Sequence, residues 1–255
     1  MSNIADKRRE SITSLVREKG FVRNSELSAK LGVSVVTIRQ DVEALSMQGV
    51  VHKTYGGAIL QVDNTLDSSF DSRACEHADA KRRIGEAAAR LIQPGETILL
   101  DAGSTTLEIA RRLPEKADVT VVTCALNIAL EAGAKSGVSV IVCGGRLNPR
   151  TMSVAGHQVE RDLADICADR LFLATYGVDV HKGMAERNFD GAQTKRALIS
   201  AAREIVLVCD SSKFGEMAPV LISPLNIVNR VITDSEIPIE YLDWLRGLQI
   251  AVDAV

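Results

Sequence analysis

Residues 97-TILLDAGSTTLEIARRLPEKADVTVVT-123 hold a run of Thr, Ile and Leu, a glycine-broken turn with three hydroxyl residues, an amphipathic stretch and a second β-branched run. In order, these read as strand 97–102, helix 105–113 and strand 119–123. The alternation extends both ways. Upstream lies helix 79–92, stopped by Pro94-Gly95. Downstream come helix 125–134, strand 138–143, helix 156–166, strand 170–175, helix 190–202, strand 204–210, strand 230–234, helix 239–247 and strand 248–252. Strands joined through helices run in the same direction, so the expected fold is α/β, a parallel sheet with helices on both faces.

Ligands of such sheets sit beyond the C-terminal strand ends. Five loops there carry suitable chemistry. The loop 101-DAGSTT-106 offers Asp101 at a strand end and Gly103 for close backbone approach. Ser104, Thr105 and Thr106 stand at the next helix N-terminus, where unpaired N–H groups and the helix dipole favour an anion such as phosphate. A plain helix cap and turn accounts for the same residues. The sequence has no G-x-x-x-x-G-K-[ST] and no strand-following G-x-G-x-x-G, so neither a P-loop nor a dinucleotide site is expected and no cofactor is implied. The other candidates are Gly145 and Arg146 in 144-GGRLNPRT-151, Tyr176 and Asp179 in 175-TYGVDVHKG-183, Glu186, Arg187 and Asn188 with Lys195, and Lys213 in 210-DSSKFG-215. One helix N-terminus, several cations, and carboxylate and amide groups together suit a phosphorylated or otherwise anionic sugar.

The first sixty residues differ from this body. Ile12, Leu15 and Val16 recur at helical spacing before Gly20, and Asn24 or Ser25 can cap a second helix carrying Leu27 and Leu31 up to Gly32. Ser34 can cap a third helix with the buried stripe Ile38, Val42 and Leu45. Helix, glycine turn and a helix with short polar and Arg side chains at its start make a helix-turn-helix, whose second helix presents its N-terminal residues to base edges. The candidate DNA contacts are Arg8, Arg23, Ser34, Val35, Thr37, Arg39 and Gln40, with Lys53 and Tyr55 from a hairpin wing in 50-VVHKTYGGAIL-60. A generic three-helix bundle is the bland alternative. Residues 1–60 form this module, the polar and aperiodic 61-QVDNTLDSSFDSRAC-75 is read as a linker, and 76–255 form the larger domain.

Charge follows that division. Residues 1–60 contain nine Lys/Arg against six Asp/Glu, a balance of +3, which leaves −6 for the remainder of a chain whose total is −3. The chain has 255 residues, 46% of them hydrophobic and 25% charged, which excludes a disordered or disulfide-stapled protein. Its longest apolar runs fall well short of the ~20 residues of a membrane span. No secretory signal pattern opens the sequence, so the expected location is the cytoplasm, with no membrane contact. Cys75, Cys124, Cys143, Cys167 and Cys209 form no C-x-x-C pair, and the four histidines do not cluster, so no metal site is expected.

The run 27-LSAKLGVSVVTIRQDVEALSMQGVVHKTYGGA-58 resembles the winged helix-turn-helix of the DeoR family of bacterial transcriptional regulators, and "DAGSTT", "GGRL", "FLATYGVD", "KRALI" and "DSSKFG" resemble its effector domain. The amino-sugar branch is the most similar by eye. The resemblance implies a winged helix-turn-helix on a body resembling sugar-phosphate isomerases. It also implies double-stranded operator DNA as partner, a sugar-phosphate effector, a homo-oligomer (dimer or tetramer) and repression of a carbohydrate-utilisation operon. Departures from the family pattern are Gln40 where a basic residue is usual, Cys124 where Asn is common, and Ala174, Tyr176, Glu186 and Arg187. The alternative is an isomerase-like enzyme with a DNA-binding appendage. Against it, Tyr176 replaces the first Asp of the isomerase's paired-Asp loop and Gln193-Thr194 precede Lys195 where the isomerase has Glu, so no catalytic residue is assigned.

Overall fold

The computed structural model describes residues 4–19, 21–47, 50–54, 57–60, 70–115 and 118–255. The chain divides into two compact units, Met1–Thr65 and Leu66–Val255.

In the first unit, α1 (Ile4–Lys19), β1 (Phe21–Arg23), α2 (Asn24–Leu31) and α3 (Val35–Met47) precede a hairpin of β2 (Val51–Thr54) and β3 (Gly57–Leu60). The strands form an antiparallel sheet in the order β1-β3-β2. Gly32 ends α2 at φ 65°, a left-handed conformation that glycine adopts without a Cβ penalty, and so turns the chain sharply into α3. Ile12, Val16, Leu27, Ile38, Val42 and Val51 close the core with at most 1% exposure. The stripe expected on α3 is therefore the buried one. Asp41, beside that stripe, is itself buried and receives Arg8 Nε at 2.5 Å and Arg9 Nε at 3.1 Å, fixing α1 against α3.

The second unit opens with α4 (Phe70–Cys75) and α5 (Ala78–Ala89). There follow β4 (Thr97–Leu100), α6 (Ser104–Arg111), β5 (Val119–Thr123), α7 (Leu126–Gly133), β6 (Val138–Val142), the short β7 (Arg146–Asn148) and β8 (Ser153–Ala155), and α8 (His157–Ala164). Then come β9 (Ala168–Leu173), β10 (Gly177–Asp179), β11 (Gly183–Glu186), α9 (Phe189–Ser200), β12 (Ala202–Val208), β13 (Val220–Ser223), β14 (Arg230–Thr233), α10 (Ile239–Gly247) and β15 (Ala251–Ala254). Seven strands form one sheet in the order β15-β14-β12-β9-β4-β5-β6, and every pairing in it is parallel.

Alternation along β4 explains its two covered faces. Leu99 points into a core shared with Leu171, Leu173, Leu207 and Leu198 of α9, while Ile98 and Leu100 join Phe172, Val206, Ile84 of α5 and Ile109 of α6 on the other side. Each fully buried aliphatic side chain contributes about 1.5–3 kcal/mol of transfer free energy, so these two clusters dominate the stability of the unit. The strand order reverses between β4 and β9: the chain runs outward through β5 and β6 on one side and through β12, β14 and β15 on the other. That reversal opens a crevice at the C-terminal ends of β4 and β9.

Three features differ from the sequence reading. An irregular linker was expected over 61–75, but residues 70–75 form α4. Phe70 packs against the α5–α6 side of the core and its N–H donates to the Arg150 carbonyl at 2.7 Å, a tertiary anchor that local polarity conceals. Residues 61–69 lie outside the described residues. The loops 144–151 and 175–183 contain the hairpin β7–β8 and the pair β10–β11, which continues into β13 as a small antiparallel sheet. These strands span three or four residues each, too short to show a period. The last strand begins at Ala251 rather than 248, because Leu248 closes α10 and Gln249 turns at φ 61°.

Candidate functional site

At the β4/β9 crevice a cavity of about 300 Å³ is lined by Gly103, Ser104, Thr105, Tyr176, Glu186, Arg187, Lys195 and Lys213 among the expected residues. A second hollow of about 590 Å³ is lined by Asp101, Arg146, Asn188, Glu186 and Lys195. The two hollows share Arg73, Ala102, Glu186 and Lys195, and the roles of the expected residues differ by position.

Asp101 and Lys195 form the floor. Lys195 Nζ donates to Asp101 Oδ2, to the Ala174 carbonyl at 3.0 Å, and lies 3.4 Å from Glu186 Oε2. Burial opposes the Lys195 charge, but the Asp101 and Glu186 carboxylates outweigh it and raise its pKa. Asp101 also accepts the N–H groups of Ala102 at 2.8 Å and Ala174 at 3.0 Å, so it ties the ends of β4 and β9 together. Above this floor Gly103 passes so close to Ala174 that a Cβ there would lie 2.9 Å from the Ala174 Cβ. Ser104 and Thr105 open α6 towards the cavity, whereas Thr106 is fully buried and donates to the Gly103 carbonyl at 3.0 Å.

One wall is aromatic and cationic. Arg187 Nη2 donates to Tyr176 Oη at 2.7 Å, its guanidinium carbon lies 4.1 Å from the Tyr176 ring centroid, and Lys213 Nζ lies 6.0 Å from the same centroid. Asn188 caps α9 by accepting the Gly191 N–H at 2.7 Å, and Arg146 pairs with Asp190 at 2.8 Å on the surface. Besides Thr106, three expected residues line neither hollow. Asp179 accepts the N–H groups of His181 and Lys182 at 2.9 and 2.8 Å, which closes the β10–β11 turn and lowers its pKa. Gly145, at φ 145°, faces the Ala155 carbonyl within its hairpin, and Cys124 is buried beside Cys143, whose hydrogen bond, with burial, raises the Cys124 pKa.

Sequence reasoning missed Arg73, Lys81, Asp210 and Ser212, all of which line the smaller cavity. Lys81 is only 3% exposed, and its ammonium donates to the carbonyls of Arg73 at 2.5 Å and Glu76 at 2.6 Å. Burial pushes its pKa down. A signal for it existed: Lys81 occupies the buried stripe of α5 with Ile84, Gly85 and Ala88, where a lysine has no reason to stand unless it has work to do. Asp210 is 1% exposed; its Oδ1 accepts from Ser212, while Oδ2 is buried with no hydrogen-bond partner among the described residues.

In the first unit, Ser34 caps α3: its Oγ accepts the Thr37 N–H at 3.1 Å and shares a hydrogen bond with Thr37 Oγ1 at 2.9 Å. Arg39 and Gln40 are exposed on α3, Arg23 is exposed ahead of α2, and Val35 is half-buried. The exposed apolar residue of the first turn is Val36, 63% accessible, which the sequence reading passed over. Arg8 is engaged with Asp41 as described. The Lys53 backbone pairs with Ala58 in the wing, and Tyr55 lies outside the described residues.

Comparison with known proteins bears on both units. Residues 8–63 match the family model described as DeoR-like helix-turn-helix domain, and residues 76–235 match DeoR C terminal sensor domain. The chain belongs to the DeoR family. As a DeoR-family protein it is a DNA-binding transcriptional regulator. It is 35% identical over 96% of its length to the "Putative aga operon transcriptional repressor" of Escherichia coli O157:H7, of which 92% is covered. It is 29% identical over 96% of its length to the glycerol-3-phosphate regulon repressor of Escherichia coli (strain K12), of which 97% is covered. Among solved structures, ribose 5-phosphate isomerase A from Methanocaldococcus jannaschii is similar at 16% identity, with a TM-score of 0.40 and 55% of each chain covered. No helix among the described residues is long and apolar enough to cross a membrane.

Proposed function

We propose that this DeoR-family regulator represses a carbohydrate-utilisation operon in the cytoplasm, and that a sugar phosphate bound in the β4/β9 cavity controls its hold on operator DNA. The observation that carries the effector class is the gathering of Lys81, Lys213, Arg73 and Arg187 around a 300 Å³ space that also receives the Ser104 end of α6. A dianionic phosphate answers that field, and the carboxylates of Asp210 and Glu186 are placed for sugar hydroxyls. On the DNA side, Arg39, Gln40 and Val36 on the exposed face of α3 read base edges, with Ser34, Thr37, Arg23 and Lys53 on phosphates. A single +3 module makes few phosphate contacts, so a homo-oligomer holding two modules on paired half-sites supplies the affinity.

A purely sensing role is supported by the state of the carboxylates. Proton abstraction from a sugar carbon needs a carboxylate free to face it. Of the carboxylates expected from the sequence, Asp101 is engaged by Lys195 and two N–H groups, and Asp179 is engaged in its turn outside the cavity. Asp210, whose Oδ2 is unpaired among the described residues at the cavity, is assigned to a sugar hydroxyl, so it is the carboxylate on which a test for turnover bears. Titrating the chain's own upstream region in a gel-shift assay, at two salt concentrations and with a panel of sugar phosphates and free sugars, tests the reading. Salt-sensitive binding altered by a sugar phosphate, and not by its unphosphorylated sugar, is expected. Binding indifferent to all of them, or turnover of an aldose phosphate, overturns it.

A further inference from the structure

The cavity is joined to α4 by a contact that neither the expected loops nor the fold requires. Lys81 Nζ, rising from α5, donates to two carbonyls at the end of α4, those of Arg73 and Glu76. The Ser104 hydroxyl, at the mouth of α6, donates to the same Arg73 carbonyl at 3.4 Å. Thus two donors that face the cavity spend their hydrogen bonds on the carbonyl end of a six-residue helix. That helix is the first described element after residues 61–69, the chain segment leading from the DNA-reading unit.

Arg73 has a second face. Its side chain lines both hollows, and Nε is buried with no hydrogen-bond partner among the described residues. A buried guanidinium donor left unpaired is costly and marks a place where an acceptor is missing. Across the same cavity Asp210, nine-tenths buried and more, holds Oδ2 unpaired. An anion carrying hydroxyl donors supplies both: acceptor oxygens for Arg73 and Lys81, and a donor for Asp210.

Resting on the proposal that the cavity takes a phosphorylated ligand, we infer that Arg73 and Lys81 grip the phosphate, and that gripping it draws Lys81 and Ser104 off the Arg73 carbonyl and unlatches the end of α4. A charge-assisted bond from ammonium to phosphate is roughly twice as strong as one to a neutral carbonyl, so the exchange favours the ligand. The carbonyls of Arg73 and Glu76 then lose their donors, and α4, held otherwise by Phe70, is free to shift. Effector occupancy becomes a change in the element from which the connecting segment departs.

The latch uses the Arg73 backbone whereas the grip uses its guanidinium, and this separates the two in experiment. The full-length protein is titrated with inorganic phosphate, binding is followed by calorimetry, and amide hydrogen exchange is read over 70–76 and 103–106. Wild type is expected to bind, with slower exchange at 103–106 and at least fivefold faster exchange over 74–76. Arg73→Met should weaken phosphate at least tenfold while exchange over 74–76 without phosphate stays as in wild type. Lys81→Met should weaken it as much and exchange fast over 74–76 with or without phosphate. Binding with protection at 103–106 but no change over 74–76, or undiminished affinity in Arg73→Met, overturns the latch while leaving the cavity's assignment standing. Absence of any phosphate binding in wild type overturns both.

Discussion

Asp101 at the end of β4 and Lys195 in the middle of α9 form an ion pair almost closed to solvent, with side-chain exposures of 2% and 6%. The pair ties the end of β4 to α9, and the same lysine also holds the Ala174 carbonyl after β9. Removing one partner leaves a buried charge with fewer answers, which typically costs 3–5 kcal/mol. Asp101→Ala is therefore expected to lower the stability of the larger unit by about 3–5 kcal/mol in urea unfolding. The double change Asp101→Asn with Lys195→Met should recover much of that loss. Equal loss in single and double variants would mean that packing, not charge, holds the floor.

Gly103 tests how tightly the loop after β4 is placed. Its φ of −172° is open to any residue, so space alone decides. A Cβ would stand 2.9 Å from the Ala174 Cβ and 3.1 Å from Thr106 Oγ1, so Gly103→Ala must displace the loop by a few tenths of an ångström or more. Overpacking of this kind costs roughly 1–3 kcal/mol. The expected outcome is a modest fall in melting temperature and a larger fall in sugar-phosphate affinity, with operator binding by the unliganded protein unchanged.

On α3 the capping residue and the residues proposed to read bases can be tested apart. Ser34→Ala removes the acceptor for the Thr37 N–H and should cost about 1 kcal/mol of stability in the first unit. Arg39→Ala touches only an exposed side chain, so its melting temperature should match wild type while operator affinity falls about tenfold or more, a base contact being worth about 1–3 kcal/mol. Gel shifts across a salt series, set beside thermal unfolding, check both. An Arg39→Ala protein that binds as wild type does would remove α3 from the DNA interface.

The parallel sheet and the helix-turn-helix were legible because their signals are periodic and long: Ile38, Val42 and Leu45 mark a helix face, and Leu99 against Ile98 and Leu100 marks a two-sided strand. The strand, turn and helix around Gly103 were legible because strand, glycine, hydroxyls and helix follow one another in the chain. Half of the cavity was not. Arg73 lies in a segment whose helix is secured by Phe70 and the Arg150 carbonyl, eighty residues away, and no local pattern reports such an anchor. Asp179 and Thr106 were chosen for their residue type, but their hydrogen bonds go to nearby backbone, the commonest use of short polar side chains in turns. Val36 rather than Val35 is the exposed apolar residue because the cap at Ser34 sets the rotation of α3, which spacing alone leaves open by one position.

Lys81 gives the cavity a pH dependence whose sign is fixed by its surroundings. Burial lowers its pKa; Asp210 and Glu76 oppose the shift, Lys213 and Arg73 add to it, and the net direction is down. The folded protein thus sheds this proton before an exposed lysine would, below the usual value of about 10.4. Below the folded pKa the cost of holding the charge is fully present. As pH rises from there towards the unfolded value the cost disappears, so the Lys81 contribution to stability increases with pH in that interval. Anion binding runs the other way. A phosphate monoester is essentially dianionic above pH about 8, its second pKa being near 6, and Lys195 keeps its charge because its own pKa is raised. Sugar-phosphate affinity is therefore expected to decline as rising pH neutralises Lys81, short of the ordinary lysine range. Calorimetric titrations at half-unit steps from pH 7 to 10 measure this decline. In Lys81→Met the affinity should be weak and flat over the same steps, and a decline that survives in that variant would assign the titration to another group.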